Sequence, residues 1–157
     1  MATDEEVLAQ LLPFNDPAWG KSWSSIEAWR TNPTPFTWKG LKPKRSGMQQ
    51  QPWVVYDEAF ETTFRSLTEV GLMLPNCKWQ PLRGSYQDQQ LSIPTYSLAE
   101  CARWLTMVGL GDRFSEGFMA GTLKDGSFLS ALDRARFLVD AANKEEGELD
   151  VLAEDES

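Results

Sequence analysis

The densest group of charged residues that could do chemistry lies between positions 113 and 136 of the 157-residue chain. Arg113 could hold an anion, with the Glu116 carboxylate near it, in a polar pocket between two helices. The other members of the group are Asp125, Asp133, Arg134 and Arg136. The simpler interpretation is a set of surface or fold-fixing ion pairs, each worth ~0–1 kcal/mol when exposed. We therefore expect ion pairs and keep Arg113 and Glu116 as a candidate polar pocket.

The absence of histidine narrows the chemistry that the chain could perform. It removes the usual general base near neutral pH and the commonest transition-metal ligand. A Ser-His-Asp or Cys-His catalytic set within this chain is excluded. Cys77 and Cys101 match neither a zinc-binding spacing nor a Cys-x-x-Cys redox motif, so buried free thiols are expected. The sequence therefore predicts no catalytic residue, no metal and no cofactor.

The net charge of −8 is unevenly distributed along the chain. Residues 143–157 carry seven acidic residues and one lysine, so this acidic tail alone has a charge of −6. The segment 31–53 contains no acidic residue and four lysines or arginines, which are Lys39, Lys42, Lys44 and Arg45. The chain thus combines a basic loop (residues 31–53) and an acidic tail (residues 143–157) with a nearly neutral body.

The basic loop is the first candidate contact surface. Trp38 lies beside Lys39 and shortly before Lys42, Lys44 and Arg45, and interleaved aromatic and basic residues are typical of nucleic-acid-contacting loops. A solvated loop, or one paired with the acidic tail, explains the same composition. The overall pI of about 4.6 counts against tight non-specific binding to nucleic acid.

The acidic tail is the second candidate contact surface. It could be a solubilising end, or it could become ordered on a basic partner surface, because apolar residues are interspersed among its charges. The acidic residues that would then contact the partner are Glu148, Asp150, Glu154 and Asp155.

Helix caps and apolar periodicity predict a mainly α fold. We expect a single compact helical domain over residues 1–142, with about six helices and two long proline-containing loops. Capping boxes predict helix starts at Thr3–Glu6, Ser24–Glu27 and Ser97–Glu100. Glu61 and Arg65 are spaced as an i,i+4 ion pair.

Helix ends and strands are predicted from glycine, proline and short apolar runs. Gly109 is expected to end the helix that begins near Ser97, and Asp112 is expected to cap the next one. The chain has room for at most a small strand pair, near residues 53–56 and 91–96.

The C-terminal half contains Leu105-Thr106, Arg113-Phe114-Ser115-Glu116-Gly117, a glycine turn at Gly126 and an apolar run from Phe128 to Leu132. In these residues, roughly over 55–140, the sequence resembles a family of small uncharacterised bacterial and phage proteins with an Arg-Phe-x-x-Gly motif. The first 50 residues lie outside the resemblance. It implies a helical fold and a bacterial or phage setting, and it carries no catalytic activity.

We therefore expect a non-catalytic protein of phage or mobile-element type that binds and modulates a host protein complex with a basic surface. One concrete version is an inhibitor of a bacterial nucleic-acid-targeting defence system, similar to an anti-CRISPR protein. One alternative is a nucleic-acid-binding accessory protein that uses residues 36–45. A further alternative is a small enzyme that uses Glu116, Asp125 or Asp112 with Arg113.

The expected location is the cytoplasm of a bacterial host cell. No apolar run approaches the ~18 residues of a membrane span, so no membrane contact is expected. The acidic start of the chain argues against a secretory signal. The sequence leaves the oligomeric state open.

Overall fold

The computed structural model describes residues 3–32, 34–40, 52–74, 90–114 and 116–155, without the side chains at 90–92, 113–114 and 147–155. These ranges contain six α-helices and one β-hairpin. The helices are α1 (Asp4–Leu8), α2 (Pro17–Arg30), α3 (Glu58–Val70), α4 (Leu98–Phe114), α5 (Phe118–Lys124) and α6 (Ser127–Asp155). A 3-10 helix covers Gln90–Thr95, and strands β1 (Phe36–Lys39) and β2 (Trp53–Tyr56) form the hairpin. The predicted mainly α class is confirmed.

Two of the three predicted helix starts are confirmed. The Thr3 hydroxyl accepts a hydrogen bond from the backbone amide of Glu6 at 3.2 Å. The Ser97 hydroxyl accepts from the amide of Glu100 at 3.2 Å, and the Glu100 carboxylate accepts from the amide of Ser97 at 3.1 Å. These bonds satisfy amides that have no partner within their own helix.

The predicted start at Ser24 is wrong, because α2 already begins at Pro17. Asp16 caps this helix by accepting from the amide of Ala18 at 2.9 Å, and Pro17 occupies the first turn, where its missing amide costs nothing. Ser25 therefore lies inside the helix, and its hydroxyl donates to the carbonyl of Ser22.

The predicted end at Gly109 is also wrong, because α4 continues to Phe114. A side chain at Gly109 would meet the Met73 methyl group at 3.0 Å, so glycine allows the close packing of α4 against the end of α3. Asp112 lies in the last turn of α4, and from there it still accepts a hydrogen bond from the amide of Met119 in α5 at 3.0 Å.

Strand β2 pairs with a different partner from the one predicted. Its antiparallel neighbour is β1 from the basic loop, with Phe36 opposite Tyr56 and Lys39 opposite Trp53. Most of the predicted partner, residues 91–96, lies in the 3-10 helix, which contains Pro94. A proline cannot donate to a strand ladder, so this segment was a poor strand candidate.

Helix α4 lies at the centre of the core, with residues 101–109 buried without interruption. An aromatic chain crosses this core: Phe60 packs on Trp29 and Phe128, and Phe128 packs in turn on Trp104. The sequence could not sort the tryptophans. The structure buries Trp19, Trp23, Trp29 and Trp104 and leaves Trp38 and Trp53 about 40% exposed.

Hydroxyl groups join helix α2 to helix α3, and α3 forms one wall of the candidate site below. Thr63 bonds to Ser25 at 2.8 Å and accepts from the indole of Trp29 at 2.9 Å. Ser22 bonds to Ser66 at 2.5 Å. Because these polar groups lie between packed helices, their mutual bonds offset the cost of removing them from water.

The free thiol predicted for Cys101 is confirmed as fully buried, and burial raises the pKa of this thiol to about 12. Cys77 lies outside the described residues. None of the helices within the ranges given above is long and apolar enough to cross a membrane.

The last helix extends into the acidic tail. Helix α6 has 29 residues and runs without a break from Ser127 to Asp155. At 1.5 Å per residue its length is about 43 Å. The backbone of the tail residues up to Asp155 is therefore helical.

Candidate binding surface

The hairpin has one face toward the core and one toward solvent. Residues paired across two strands share a face, so the register places Phe36, Tyr56, Trp38 and Val54 on the inner side. The rings of Phe36 and Tyr56 lie 6.4 Å apart, and Tyr56 lies 5.2 Å from Phe60 in the core. The four outward residues, which we call the hairpin face, are Thr37, Lys39, Trp53 and Val55.

The hairpin is held in place by the turn that joins α4 to α5. The Glu116 carboxylate accepts a hydrogen bond from the amide of Val54 at 2.6 Å. The Trp38 ring lies over Gly117, where a β-carbon would come within 2.5 Å of the ring. Gly117 also has a φ of +83°, which glycine adopts without strain. These contacts fix the orientation of the hairpin face.

Tyr56 and Asp112 connect the hairpin to helix α4. The Tyr56 hydroxyl donates to Asp112 Oδ1 at 3.0 Å, and the amide of Met119 donates to the same oxygen at 3.0 Å. Burial raises the pKa of Asp112 despite these two bonds, and the charge of Glu116 acts in the same direction. Burial and the charge of Asp112 also raise the pKa of Tyr56, so this phenol stays protonated at neutral pH.

An open cleft of about 790 Å³ lies beside the hairpin, between β2, α3 and α4. Its apolar lining is formed mainly by Val55, Phe60, Phe64 and Met119. Its charged lining residues are Glu58, Glu61, Asp112 and Arg65. We call this feature the acidic cleft. Val55 belongs to both the cleft and the hairpin face, so the two form one continuous surface.

The carboxylates at the mouth of the acidic cleft form no ion pair within the described part of the chain. Glu58 and Glu61 are exposed, and neither forms an ion pair with a residue in these ranges. The predicted pair between Glu61 and Arg65 is therefore wrong: Arg65 instead donates to the Thr62 hydroxyl at 3.5 Å. The cleft consequently presents more negative than positive charge to solvent.

The remaining charged residues of this group, on α6, form ion pairs or bind a backbone carbonyl away from the cleft. Arg30 donates to both carboxylate oxygens of Asp133, at 2.7 and 3.3 Å. Arg136 lies 3.8 Å from Asp140, and Arg134 donates to the Tyr96 carbonyl at 2.9 Å. Asp133, Arg134 and Arg136 thus fix local structure, as the simpler interpretation of the sequence expected.

The described residues of the candidate polar pocket and of the enzyme alternative make local structural contacts. Glu116 binds the hairpin amide, and the side chain of Arg113 lies outside the described part of the chain. Asp125 accepts from the amide and hydroxyl of Ser127 at 2.8 and 2.6 Å. It lies at the far end of α5 from Asp112, and this helix has seven residues, about 10 Å of rise. Asp112 and Asp125 are therefore not brought together.

The predicted contact residues are only partly described. Trp38 lies on the inner side of the hairpin but remains 39% exposed, and Lys39 is exposed on the hairpin face. Lys42, Lys44 and Arg45 lie outside the described residues. Glu148, Asp150, Glu154 and Asp155 lie on helix α6, where the structure describes the backbone alone.

Trp53, Val55 and the cleft residues Glu58 and Glu61 were not predicted from the sequence as site residues. The four residues of β2 alternate between exposed and half-buried, which is the period of a strand with one solvated face. The sequence itself shows no such alternation, because all four residues of β2 are apolar or aromatic.

The residues that a family model matches include all of the described parts of this surface. A family model with the description "family of unknown function", DUF6508, matches residues 15–141. The chain belongs to the DUF6508 family. The family match starts at residue 15, well before the resemblance over 55–140, and includes α2 and the hairpin. No curated protein and no solved structure matches the chain.

Asp112 gives the structure a testable pH dependence. Because its folded-state pKa is raised above that of the unfolded chain, the folded protein holds this proton more tightly. The resulting stabilisation is present at low pH and is lost as the pH rises through the folded-state pKa. Asparagine in its place can still accept from Tyr56 and Met119 but does not titrate. The stability of the wild type relative to Asp112→Asn should therefore fall as the pH rises from about 4 toward 7.

Urea denaturation of both proteins at several pH values measures this difference. As a second variant, Asp112→Ala leaves the Met119 amide and the Tyr56 hydroxyl without their acceptor, and it should lose about 1–3 kcal/mol across the whole range. A difference between wild type and Asp112→Asn that does not change with pH would contradict the raised pKa of Asp112.

Proposed function

We propose that the protein is a non-catalytic binding protein that contacts a host protein complex through the hairpin face and the adjoining acidic cleft. The observation that supports this most strongly is the concentration of exposed large apolar side chains on one small hairpin. On the hairpin face, Trp53 and Val55 are 40% and 44% exposed, and Trp38 on the inner side of the same hairpin is 39% exposed. Grouped exposed apolar side chains mark interaction sites, and tryptophan is among the residues that contribute most to binding energy.

The contacts that fix the hairpin on the rest of the protein also support a role in binding. The bond from Val54 to Glu116 and the contact of Trp38 with Gly117 hold the strands before any partner arrives. A surface that is already ordered loses less conformational entropy on association, so more of its contact energy appears as affinity.

Charge indicates what kind of partner this surface fits. The acidic cleft lies beside the hairpin face, and the acidic tail adds further negative charge to the chain. A partner with a basic surface would be complementary to both. In its most specific form, the proposal is that the protein inhibits a bacterial nucleic-acid-targeting defence complex in the host cytoplasm by covering the basic surface that binds nucleic acid.

Affinity capture from a bacterial host lysate, followed by a binding measurement with the purified partner, tests the proposal. We expect the double variant Trp53→Ala, Val55→Ala to bind the partner at least tenfold more weakly. Interface anchors of this type typically contribute more than about 1 kcal/mol each to binding. The matched control is Phe137→Ala, which removes a 64% exposed aromatic ring on α6, outside the hairpin face and the cleft. Thermal denaturation of each variant shows that its fold is intact.

The same purified partner tests the role of charge. A chain ending at residue 143 should associate more slowly at low salt, because long-range attraction raises association rates. For a defence complex, the intact protein should also displace bound nucleic acid from the partner.

An unchanged partner affinity in the hairpin double variant would contradict the proposal. The nucleic-acid-binding alternative would replace it if the protein bound mixed DNA and RNA at ~150 mM salt and lost that binding on Lys39→Ala. In that case the basic residues of the hairpin would contact phosphates, and its aromatic rings would stack on nucleobases.

A further inference from the structure

The acidic cleft combines an apolar floor with carboxylates at its mouth. Phe64 and Met119 line the floor, and Glu58 and Glu61, both in the first turn of α3, lie at the rim. The volume of about 790 Å³ is within the ~300–1,000 Å³ typical of ligand sites. The group that fits such a site has an apolar stem and a cationic end.

We propose that the acidic cleft binds an arginine or lysine side chain of the partner protein, while apolar neighbours of that residue cover Trp53 and Val55 on the hairpin face. This inference rests on the proposed function for the existence of a protein partner. It adds the chemical group that the partner inserts and the site that receives it.

The charge of the lining favours a cation over an anion or a neutral group. Three carboxylates and one guanidinium line the cleft, and the carboxylates of Glu58 and Glu61 have no ion-pair partner in the described chain. The carboxylates of Glu58, Glu61 and Asp112 repel one another. A cation would relieve this repulsion, and an anion would increase it.

The apolar lining favours a side chain over a simple ion. The described acidic residues form no group of three that could hold a metal ion, so their charge is spread along the rim. The stem of an arginine or lysine can cover apolar surface while its charged end stays at the solvated rim. The rings of Tyr56 and Phe64 add faces on which a guanidinium can stack.

The continuity of the cleft with the hairpin face favours a protein segment over a free small molecule. Val55 is shared by both features, and Trp53 is exposed on the same face of the same strand. One partner segment could therefore place a basic residue in the cleft and an apolar residue against the hairpin. A free cation would leave the exposed apolar residues uncovered.

The probe for the test is the peptide acetyl-Leu-Arg-Leu-amide, with citrulline replacing arginine in the matched neutral peptide. Titration of ¹⁵N-labelled full-length protein should produce saturable NMR shifts at the amides of Tyr56, Phe64 and Gly109. The citrulline peptide should bind about tenfold more weakly, since it keeps the shape and loses the charge. A higher salt concentration should weaken the binding of the arginine peptide and leave the binding of the citrulline peptide unchanged.

The double variant Glu58→Gln, Glu61→Gln should bind the arginine peptide about tenfold more weakly than the wild type does. Glu69→Gln is the matched control, because Glu69 is exposed on the same helix but does not line the cleft. Equal binding of the two peptides, shifts that map outside the cleft, or no saturable shift at ~10 mM peptide would each overturn the inference.

The purified partner separates this inference from the proposed function. If the hairpin double variant lowers the affinity for the partner while Glu58→Gln, Glu61→Gln leaves that affinity unchanged, the proposed function stands and the cleft inference is wrong. If the peptide binds as expected but the glutamine variant leaves the partner unchanged, the cleft binds free cations, and the inference of an inserted partner side chain is overturned. If the glutamine variant binds both the arginine peptide and the partner at least tenfold more weakly, and Glu69→Gln changes neither affinity, the inference is supported.

Discussion

Replacing Phe128 by alanine is expected to destabilise the protein by about 3–5 kcal/mol. The Phe128 side chain is fully buried, and its ring centroid lies 5.6 Å from that of Phe60 and 6.4 Å from that of Trp104. Truncation removes these contacts and leaves a cavity between α3, α4 and α6, which rigid neighbours can fill only in part. Urea denaturation at equilibrium measures the loss.

The control for this prediction lies on the same helix. Phe137 is 64% exposed and its ring lies 5.6 Å from the guanidinium carbon of Arg134. Its replacement by alanine removes the same atoms from a site without a cavity, so the cost should be about 0.5 kcal/mol or less. Equal losses in the two variants would show that Phe128 is not the centre of the aromatic core.

Gly71→Ala should cost about 3 kcal/mol, for two physical reasons that can be separated. Gly71 ends α3 with a φ of +89°, where an L-residue with a side chain is strained by about 1–2 kcal/mol. In addition, a β-carbon here would overlap the carbonyl oxygen of Gln10. The segment after α1 would have to move away and weaken the bond from the Leu12 amide to the Val70 carbonyl, which is 3.1 Å long.

Gly126→Ala separates the two contributions. Gly126 has a φ of +84°, and nothing lies within 4 Å of its β-position. Its replacement should cost only the backbone strain, about 1 kcal/mol. Denaturation curves that give the same loss for both glycines would contradict the close approach of the α1 segment to Gly71.

The helical part of the fold could be predicted because its signals are local. A capping box requires residues only three positions apart, and the boxes at Thr3 and Ser97 were sufficient to place two helix starts. The start of α2 was missed because two signals competed, and an aspartate followed by proline prevailed over a serine box inside the helix. The end of α4 was missed because Gly109 serves a packing contact with Met73 from a distant part of the chain.

Non-local contacts explain why the hairpin and the cleft could not be predicted. The strand at Trp53–Tyr56 was expected from its residues, but its partner depends on which segment the folded core brings beside it. The acidic cleft is formed by residues from β2, α3, α4 and α5, between positions 55 and 119. Each of these residues has an ordinary place in its own element, and only the tertiary packing makes them neighbours.

Amide hydrogen exchange of the protein, free and bound to its captured partner, tests the central claim most directly. We predict that binding slows exchange at residues 53–56 of the hairpin and at residues 58–65 beside the cleft, because the partner covers these segments. Exchange near Phe137 on α6 should stay the same. Slowed exchange confined to α6, with the hairpin and α3 unchanged, would contradict binding through the hairpin face and the acidic cleft.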